Sequence, residues 1–595
     1  MNQLNNRLWR SATFALLILS HGAAADINQS ATDTREQIRQ QERERLLRQQ
    51  QEIKPDARDA SEQLKSAAPV ATDIIPDKET PCFIISKIEL IGDSAKQFQF
   101  ALNEVLNNTP DGKPILGRCL GVVGINAVMA RVQNAIIAKG YITTRVFATP
   151  QDLKAGILQL TIIPGRVNAI RFTPDSSNHV STWNALPINR GDILNLRDIE
   201  QALENFKRVP TAEADIQIEP TNAKADASQN NAMLGFSDVV IRYQQRFPVR
   251  ISVGLDDSGS NSTGKYQGST TLSGDNLLSL NDLFYVNYSH DLGGGDSGKR
   301  GTKGYSVHYS IPWDYWLLGT TTSSNAYHQT VAGTSQNYLY SGTSQNAEVK
   351  LSRLAYRNRI NKTNLSLRGF LRQSNNFIDD TEVEVQRRRT AGWELGLNQS
   401  WYIDKAVLEY TLAYRRGTGA QDALKAPEEG FGEGTSRMKM LFGDLNLNVP
   451  FSVNAPWGNQ PLQYSANLRG QANYTPLTPQ DRFSIGSRFT VRGFDGEQTL
   501  IADHGWLIRN ELITPIVTSG QALYWGLDYG EVGGQSSKNL IGKYLAGTVL
   551  GLRGGIGSEH FGSLSYDVFL GKPINKPQGF QTHQSVAGFN FNYSY

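Results

Sequence analysis

The side chains with the most telling surroundings are Arg492, in the stretch Val491 to Glu497 (VRGFDGE), and Asp528, in Tyr524 to Gly530 (YWGLDYG). Arg492 follows the β-prone Phe489-Thr490-Val491 and precedes Gly493 and Phe494, so its guanidinium can project from a segment that turns sharply back. In the second stretch Leu527 and Tyr529 share one face of an extended chain, while Gly526, Asp528 and Gly530 share the other. That leaves a carboxylate on a face cleared by glycines. If the two groups met away from bulk water they would form a charge-assisted, bidentate pair, whose chemistry is that of a lock. In Trp506 to Leu512, Arg509 and Glu511 share the face opposite Trp506 and Ile508, which makes Glu511 a second candidate anchor. Taken singly, Arg492 reads better as a surface-loop arginine and Asp528 as a solvated luminal acid, so the context has to decide.

Signals for catalysis do not assemble. Gly295-Asp296-Ser297-Gly298 has the form of the motif around a serine-protease nucleophile, but it lies in a glycine-rich run, Gly293 to Gly304, that follows a strand and reads as an extracellular loop. The eight histidines, His21, His179, His290, His308, His328, His504, His560 and His583, are scattered without metal-ligand spacing. Arg553-Gly554-Gly555-Ile556-Gly557 opens no helix and is no dinucleotide fingerprint, and there is no P-loop. Neither a cofactor nor a metal is expected, and no enzyme activity. A net charge of +3 over 595 residues gives no case for nucleic acid.

The elements that would position Arg492 and Asp528 begin with an exported N-terminus. Arg7 and Arg10, the apolar run Ala12 to Leu19 and then Ala23-Ala24-Ala25 read as a signal peptide cut after Ala25; the run is too short to span a bilayer of about 30 Å. Nowhere later do 18 apolar residues run together, so no helical span is expected. Cys82 and Cys119 are the only two cysteines, and in an oxidising compartment they most simply form one stapling disulfide.

From Asp33 to Glu52 the chain is dense in helix formers and in opposite charges at helical spacing, without Gly or Pro. Its few apolar residues form no wide stripe, so this helix wants polar walls and water; the bland alternative is a solvated terminal helix. A linker follows to Pro81. Residues 82 to 165 then predict a strand over Phe83–Ile91, helices over Ala95–Leu106 and from Ile125 to Gly140, and strands over Tyr141–Ala148 and Ile157–Ile163. The same order, β-α-α-β-β, is expected again from Val167, with Leu196, Ile199, Leu203 and Phe206 on one helix face and strands at Ala214–Ile218 and Phe236–Tyr243. Three-stranded sheets of this kind keep an exposed edge that can take an extended peptide; a rigid spacer is the alternative.

From Pro248 to the last residue only strand patterns recur. Val249, Ile251, Val253 and Leu255 alternate with polar or small residues, as do Tyr305 to Ile311, Leu408 to Tyr414, Leu564 to Leu570 and the closing Phe589, Phe591, Tyr593 and Tyr595. A soluble sandwich would alternate too, but a barrel in lipid also needs aromatic strand ends, charges facing a wet interior and a closing aromatic strand. The mean hydropathy of −0.40 does not oppose this, because alternation hides the membrane face from an average. About 350 residues at roughly 20 to 24 per strand give about 14 to 18 strands, and sixteen is the expectation.

At this point the sequence resembles a family. The plan as a whole, with PCFIISKIELIG (Pro81 to Gly92), GLDDSGSNSTGKYQG (Gly254 to Gly268) and above all VRGFDGE, is similar to the outer-membrane component of two-partner secretion, the hemolysin secretion/activation type of transporter among the POTRA-bearing barrel translocases. The likeness spans essentially the whole mature chain; the terminal Tyr595, where Phe is commoner, is one departure. It implies that the small modules are POTRA domains, that VRGF tips an inward-folded loop, and that Arg492 contacts Asp528. The expected organisation is a signal peptide (1–25), a plug-helix region (26–54), a linker (55–80), two α+β POTRA domains (81–165 and 166–245) and a 16-stranded antiparallel transmembrane barrel (246–595). The expected function is export of an unfolded secreted partner, such as a hemolysin, adhesin or contact-dependent toxin with an N-terminal β-helical secretion domain. A monomeric pore in the outer-membrane bilayer would carry it, with the POTRA domains in the periplasm. An insertase that assembles other barrels shares the loop motif and is the main alternative; a passive porin would leave the periplasmic modules unexplained.

Overall fold

A computed structural model describes residues 75–76, 79–108, 112–221, 235–516, 519–558 and 561–595. The segments read from the sequence as a signal peptide (1–25), a polar helix (Asp33–Glu52) and, but for a few residues, a linker (55–80) lie outside them.

The first module runs β1 (Lys87–Gly92), α1 (Gln99–Asn107), α2 (Val122–Ala138), β2 (Arg145–Phe147) and β3 (Ile157–Ile163), with β3 central in a three-stranded sheet, parallel to β1 and antiparallel to β2. Val128, Val132 and Ile136 on α2 meet Leu158, Leu160 and Ile162 from the sheet in one core. A single 3-10 turn over Ala95–Phe98 precedes α1, so the expected helix is broken at its start. The strand expected from Tyr141 begins only at Arg145. Buried Gln133 donates to the Thr144 carbonyl (2.7 Å) and accepts from the Val146 amide (2.8 Å), and so satisfies backbone groups that no neighbouring strand reaches. Cys82 and Cys119 form a disulfide beside a short pairing of Phe83–Ile84 with Cys119–Leu120.

The second module runs β4 (Arg166–Phe172), α3 (Leu196–Phe206), β5 (Ala212–Pro220) and β6 (Phe236–Gln245), with β6 central. Here the expected β-α-α-β-β order is wrong. Residues 173–195 carry no α-helix, because Pro174, Pro187 and a run of Ser, Asn and Asp favour turns over a helical ladder. Asn195 caps α3 by accepting from the Arg197 amide (2.9 Å), and Ile199, Leu203 and Phe206 enter the core as their spacing requires.

The remainder is a closed antiparallel barrel of sixteen strands, as expected: β7 (Val249–Asp256), β8 (Gln267–Asp275), β9 (Leu283–Asp291), β10 (Gly301–Trp313), β11 (Trp316–Ala332), β12 (Asn337–Arg357), β13 (Asn361–Ile378), β14 (Arg388–Ile403), β15 (Ala406–Thr418), β16 (Lys439–Ala455), β17 (Gly458–Asn473), β18 (His504–Ile516), β19 (Gln521–Gly533), β20 (Tyr544–Ser558), β21 (Gly562–Asn575) and β22 (Val586–Ser594). Closure joins β22 to β7. Val249, Ile251, Val253 and Leu255 stand exposed on the outer wall, and Arg250, Ser252, Gly254 and Asp256 line an interior cavity. An apolar exterior suits hydrocarbon, and closure leaves no backbone edge unpaired in it. Among the described residues no helix is long and apolar enough to cross a membrane.

The second module is bonded to the turns that join successive strands at its end of the barrel. Asn184 donates to the carbonyls of Leu280 (2.5 Å) and Pro312 (3.1 Å), and Arg208 to that of Ser310 (3.1 Å). From α3, Asn205 donates to the Asp314 carbonyl (2.9 Å), Glu204 pairs with Lys362 (2.6 Å) and with Arg357, and Asp198 accepts from the Tyr315 hydroxyl.

Candidate functional site

Residues 474–503 join β17 to β18 at the end of the barrel away from the two modules, and instead of standing clear they fold back into the lumen. Near its start this loop reaches the far wall, where Arg372 on β13 pairs with Asp481 (3.1 Å) and Gln480 donates to Ser374 (2.9 Å). It then returns across the interior through a short hairpin of Phe483–Ile485 with Leu500–Ala502. Arg492 stands between those two strands.

The structure brings Arg492 and Asp528 together. The Arg492 Nε donates to Asp528 Oδ2 at 2.7 Å and Nη2 to Oδ1 at 2.7 Å, and the Arg492 backbone amide adds a third bond to Oδ2 at 3.0 Å. The remaining Nη1 donates to Glu511, whose other oxygen accepts from Arg553. Arg492 is 4% exposed and Asp528 1%. Two charges so withdrawn from water are tolerable only when paired with full geometry, and removing either partner leaves the other stranded at a cost of about 3–5 kcal/mol.

Glycines clear the room for this arrangement. A Cβ on Gly526 would lie 2.7 Å from Arg492 Nη2, one on Gly547 1.9 Å from the Arg492 carbonyl oxygen, and one on Gly571 2.9 Å from the Gly493 Cα. Gly493 itself has φ +101°, with its Cβ position 2.5 Å from the Lys572 carbonyl oxygen, so neither the turn nor the space admits a side chain. Beyond it Phe494, 1% exposed, enters an apolar cluster inside the barrel with Val491, Leu507, Leu545 and Phe580, meeting the Phe580 ring edge-on at 5.6 Å between centroids. Burying that ring contributes about 1.5–3 kcal/mol towards seating the loop. At the tip, Asp495 accepts from the amide of His583 (2.9 Å) and pairs with its Nδ1 (2.7 Å), while Glu497 accepts from the Asn261 amide (2.9 Å).

All five loop-lock residues expected from the sequence, Arg492, Gly493, Phe494, Glu511 and Asp528, thus meet in one place. Sequence reasoning missed Arg553, whose guanidinium lies 4.0 Å from the Tyr524 ring centroid, and Asp567, which accepts from the Tyr524 hydroxyl (2.8 Å). It also missed Gly547 and Gly571. The available signal was parity, since Gly547, Gly551 and Arg553 alternate with apolar residues on β20 as Gly526 and Asp528 do on β19. A cavity of about 370 Å³ opens beside the lock, lined by Arg250, Arg488, Arg509, Arg553, Asp256 and Asp567 among others. No group of His, Cys, Asp and Glu among the described residues could hold a metal ion.

The family model of haemolysin secretion/activation proteins ShlB/FhaC/HecB matches residues 235–554, the ShlB-type POTRA model residues 83–165, and a second POTRA model residues 166–220. The chain is 36% identical over 533 residues to the outer membrane transporter CdiB-2 of Burkholderia pseudomallei, covering 88% of each chain. With the outer membrane transporter CdiB of Dickeya dadantii it shares 29% identity over 81% of this chain and 82% of that one. The solved structure of CdiB from Acinetobacter baumannii superposes with a TM-score of 0.79 at 29% identity, over 95% of this chain and 99% of that chain.

Proposed function

Because the chain belongs to the haemolysin secretion/activation family of outer-membrane transporters, we propose that its inward loop is the gate of a pore that exports a secreted partner protein. The barrel spans the outer membrane, the POTRA domains stand on its periplasmic side, and the secreted partner leaves through it. In our reading the partner arrives unfolded and is held by the POTRA domains at an exposed sheet edge. It is a large protein with an N-terminal β-helical secretion domain, of the hemolysin, adhesin or contact-dependent toxin type. A single chain forms the pore. No step needs a catalysed reaction, and folding of the partner outside supplies the direction.

One observation carries the gate: a loop that crosses the lumen is fastened to the wall by a buried, bidentate Arg492–Asp528 pair. A loop in that place obstructs a polypeptide, so export requires it to move, and a paired charge is a fastening that can be made and broken without rebuilding the barrel. The test is export of the secreted partner, sought as a very large exported protein with a β-helical N-terminal region in the neighbouring reading frame. A loop without its fastening no longer returns to the one position from which it opens, so Arg492→Ala should abolish export while the barrel still assembles in normal amount, and Arg492→Asp with Asp528→Arg should restore part of it. Full export by Arg492→Ala would refute the gate. Depleting the chain should leave other outer-membrane proteins at normal levels; their general loss would favour an insertase.

A further inference from the structure

The first and last barrel strands are joined along a short stretch. Backbone pairing of β7 with β22 runs from Ile251 opposite Tyr595, which exchange two backbone bonds (3.0 and 2.9 Å), to Asp256 opposite Asn590. The next residues towards the outer end are Asp257 and Phe589, and their rung is made differently. The Phe589 amide donates to the side chain of Asp257, Oδ1, at 2.8 Å, and the Phe589 carbonyl accepts from Nη2 of Arg488 at 3.2 Å. Arg488 and Asp257 are themselves paired, Nη1 to Oδ1, at 2.5 Å. A side-chain ion pair therefore satisfies both backbone groups of Phe589 where the strand ladder has run out. The Arg488 guanidinium lies 5.0 Å from the Phe569 ring centroid, and the Asp257 side chain is 8% exposed, so the rung is sheltered from water.

Arg488 belongs to neither strand. It sits on the inward loop, four residues before Arg492, and the same loop holds the segment after β7 a second time through Glu497 and the Asn261 amide (2.9 Å). Arg492 instead bonds to β18 and β19, where its side-chain partners are Glu511 and Asp528.

We propose that Arg488 is a positioning residue that clasps the outer end of the β7–β22 seam, so that closure of the barrel wall there follows the position of the inward loop. This rests on the reading of the loop as a gate. When the loop leaves, Arg488 leaves with it, Phe589 loses a donor and Asp257 is left as a sheltered carboxylate without its cation. The wall beside the vacated lumen then loosens as the exit widens.

Hydrogen exchange of the full chain in lipid nanodiscs tests this. Arg488→Ala should raise exchange about tenfold in the segments 250–258 and 586–592. Arg488→Lys, which keeps one donor, should fall between. Strands β12 and β13 on the other wall should not change. Arg492→Ala should raise exchange at the same seam, although it touches neither seam strand, and a merely local structural role for Arg492 would leave the seam unmoved. Unchanged seam exchange in Arg488→Ala overturns the clasp, and unchanged seam exchange in Arg492→Ala overturns its dependence on the loop. If Arg488→Ala fails to assemble, Arg488→Gln takes its place with the same two outcomes. Export by Arg492→Ala is read separately, so a failure of the gate is distinguishable from a failure of the clasp.

Discussion

At the scale of single residues the site is governed by what glycine omits. The Arg492 backbone passes so close to β20 that a methyl group on Gly547 would meet its carbonyl oxygen at 1.9 Å, and backbone cannot yield as the end of a side chain can. Gly547→Ala should therefore unseat the loop without touching any charge. We expect it to reproduce the export defect of Arg492→Ala, while Gly369→Ala, where nothing lies within 4 Å of the added carbon, exports normally. Normal export by Gly547→Ala would mean that the loop need not sit as found. Phe494 acts in the same direction through burial and Arg492 through charge, so space, apolar contact and ion pairing hold one short loop together.

At the scale of elements, α3 is the joint between periplasm and barrel. Burial would raise the Glu204 carboxyl, but Lys362 and Arg357 hold it below the usual range. Asp198, on the first turn of α3, behaves oppositely: burial pushes it up to about 6, against the Tyr315 hydroxyl bond that lowers it and with Asp192 adding to the rise. A carboxyl whose folded pKa lies above its ordinary value binds its proton more tightly in the docked state. Its contribution is thus greatest in acid and is lost as pH rises from about 4 through about 6. Exchange at the turn Asp314–Tyr315, corrected for intrinsic rate, should be slower at pH 5 than at pH 7.5, and Asp198→Asn should remove the difference. A joint that loosens on acidification would contradict this account.

At the scale of the whole molecule, the question is what closes a barrel of sixteen strands. The loop crosses from β13 to β19 but leaves a cavity of about 370 Å³ beside its lock, so the loop and the wall do not fill the interior. The stretch Asp33–Glu52 lies outside the described residues, and we propose it as a removable plug because a helix polar all round suits a wet lumen. Deleting residues 33–52 should raise ion conductance in planar bilayers, and a deletion that conducts as the full chain does would end the plug idea. Arg492→Ala in that deletion should conduct more again, since loop and plug would obstruct the lumen independently.

Much of this was legible in the sequence because it depends on parity and spacing, which are local. Alternation at period two told which strand residues face lipid and which face the lumen, including Glu511 and Asp528, and the stripe at helical spacing told which face of α3 is buried. The absent helix at 173–195 was also written there, in its prolines and turn formers, and was overridden by the expectation that two modules in tandem repeat one another. Parity gives the face of a strand but neither its height nor its partner across a closed barrel. The tertiary structure alone decided that the loop turns inward far enough for Arg492 to meet Asp528, that Arg553 completes the pair through Glu511, and that Arg488 meets Asp257, 231 residues distant. Such contacts exist only once the last strand has closed on the first, because closure sets the heights at which loop and wall are compared.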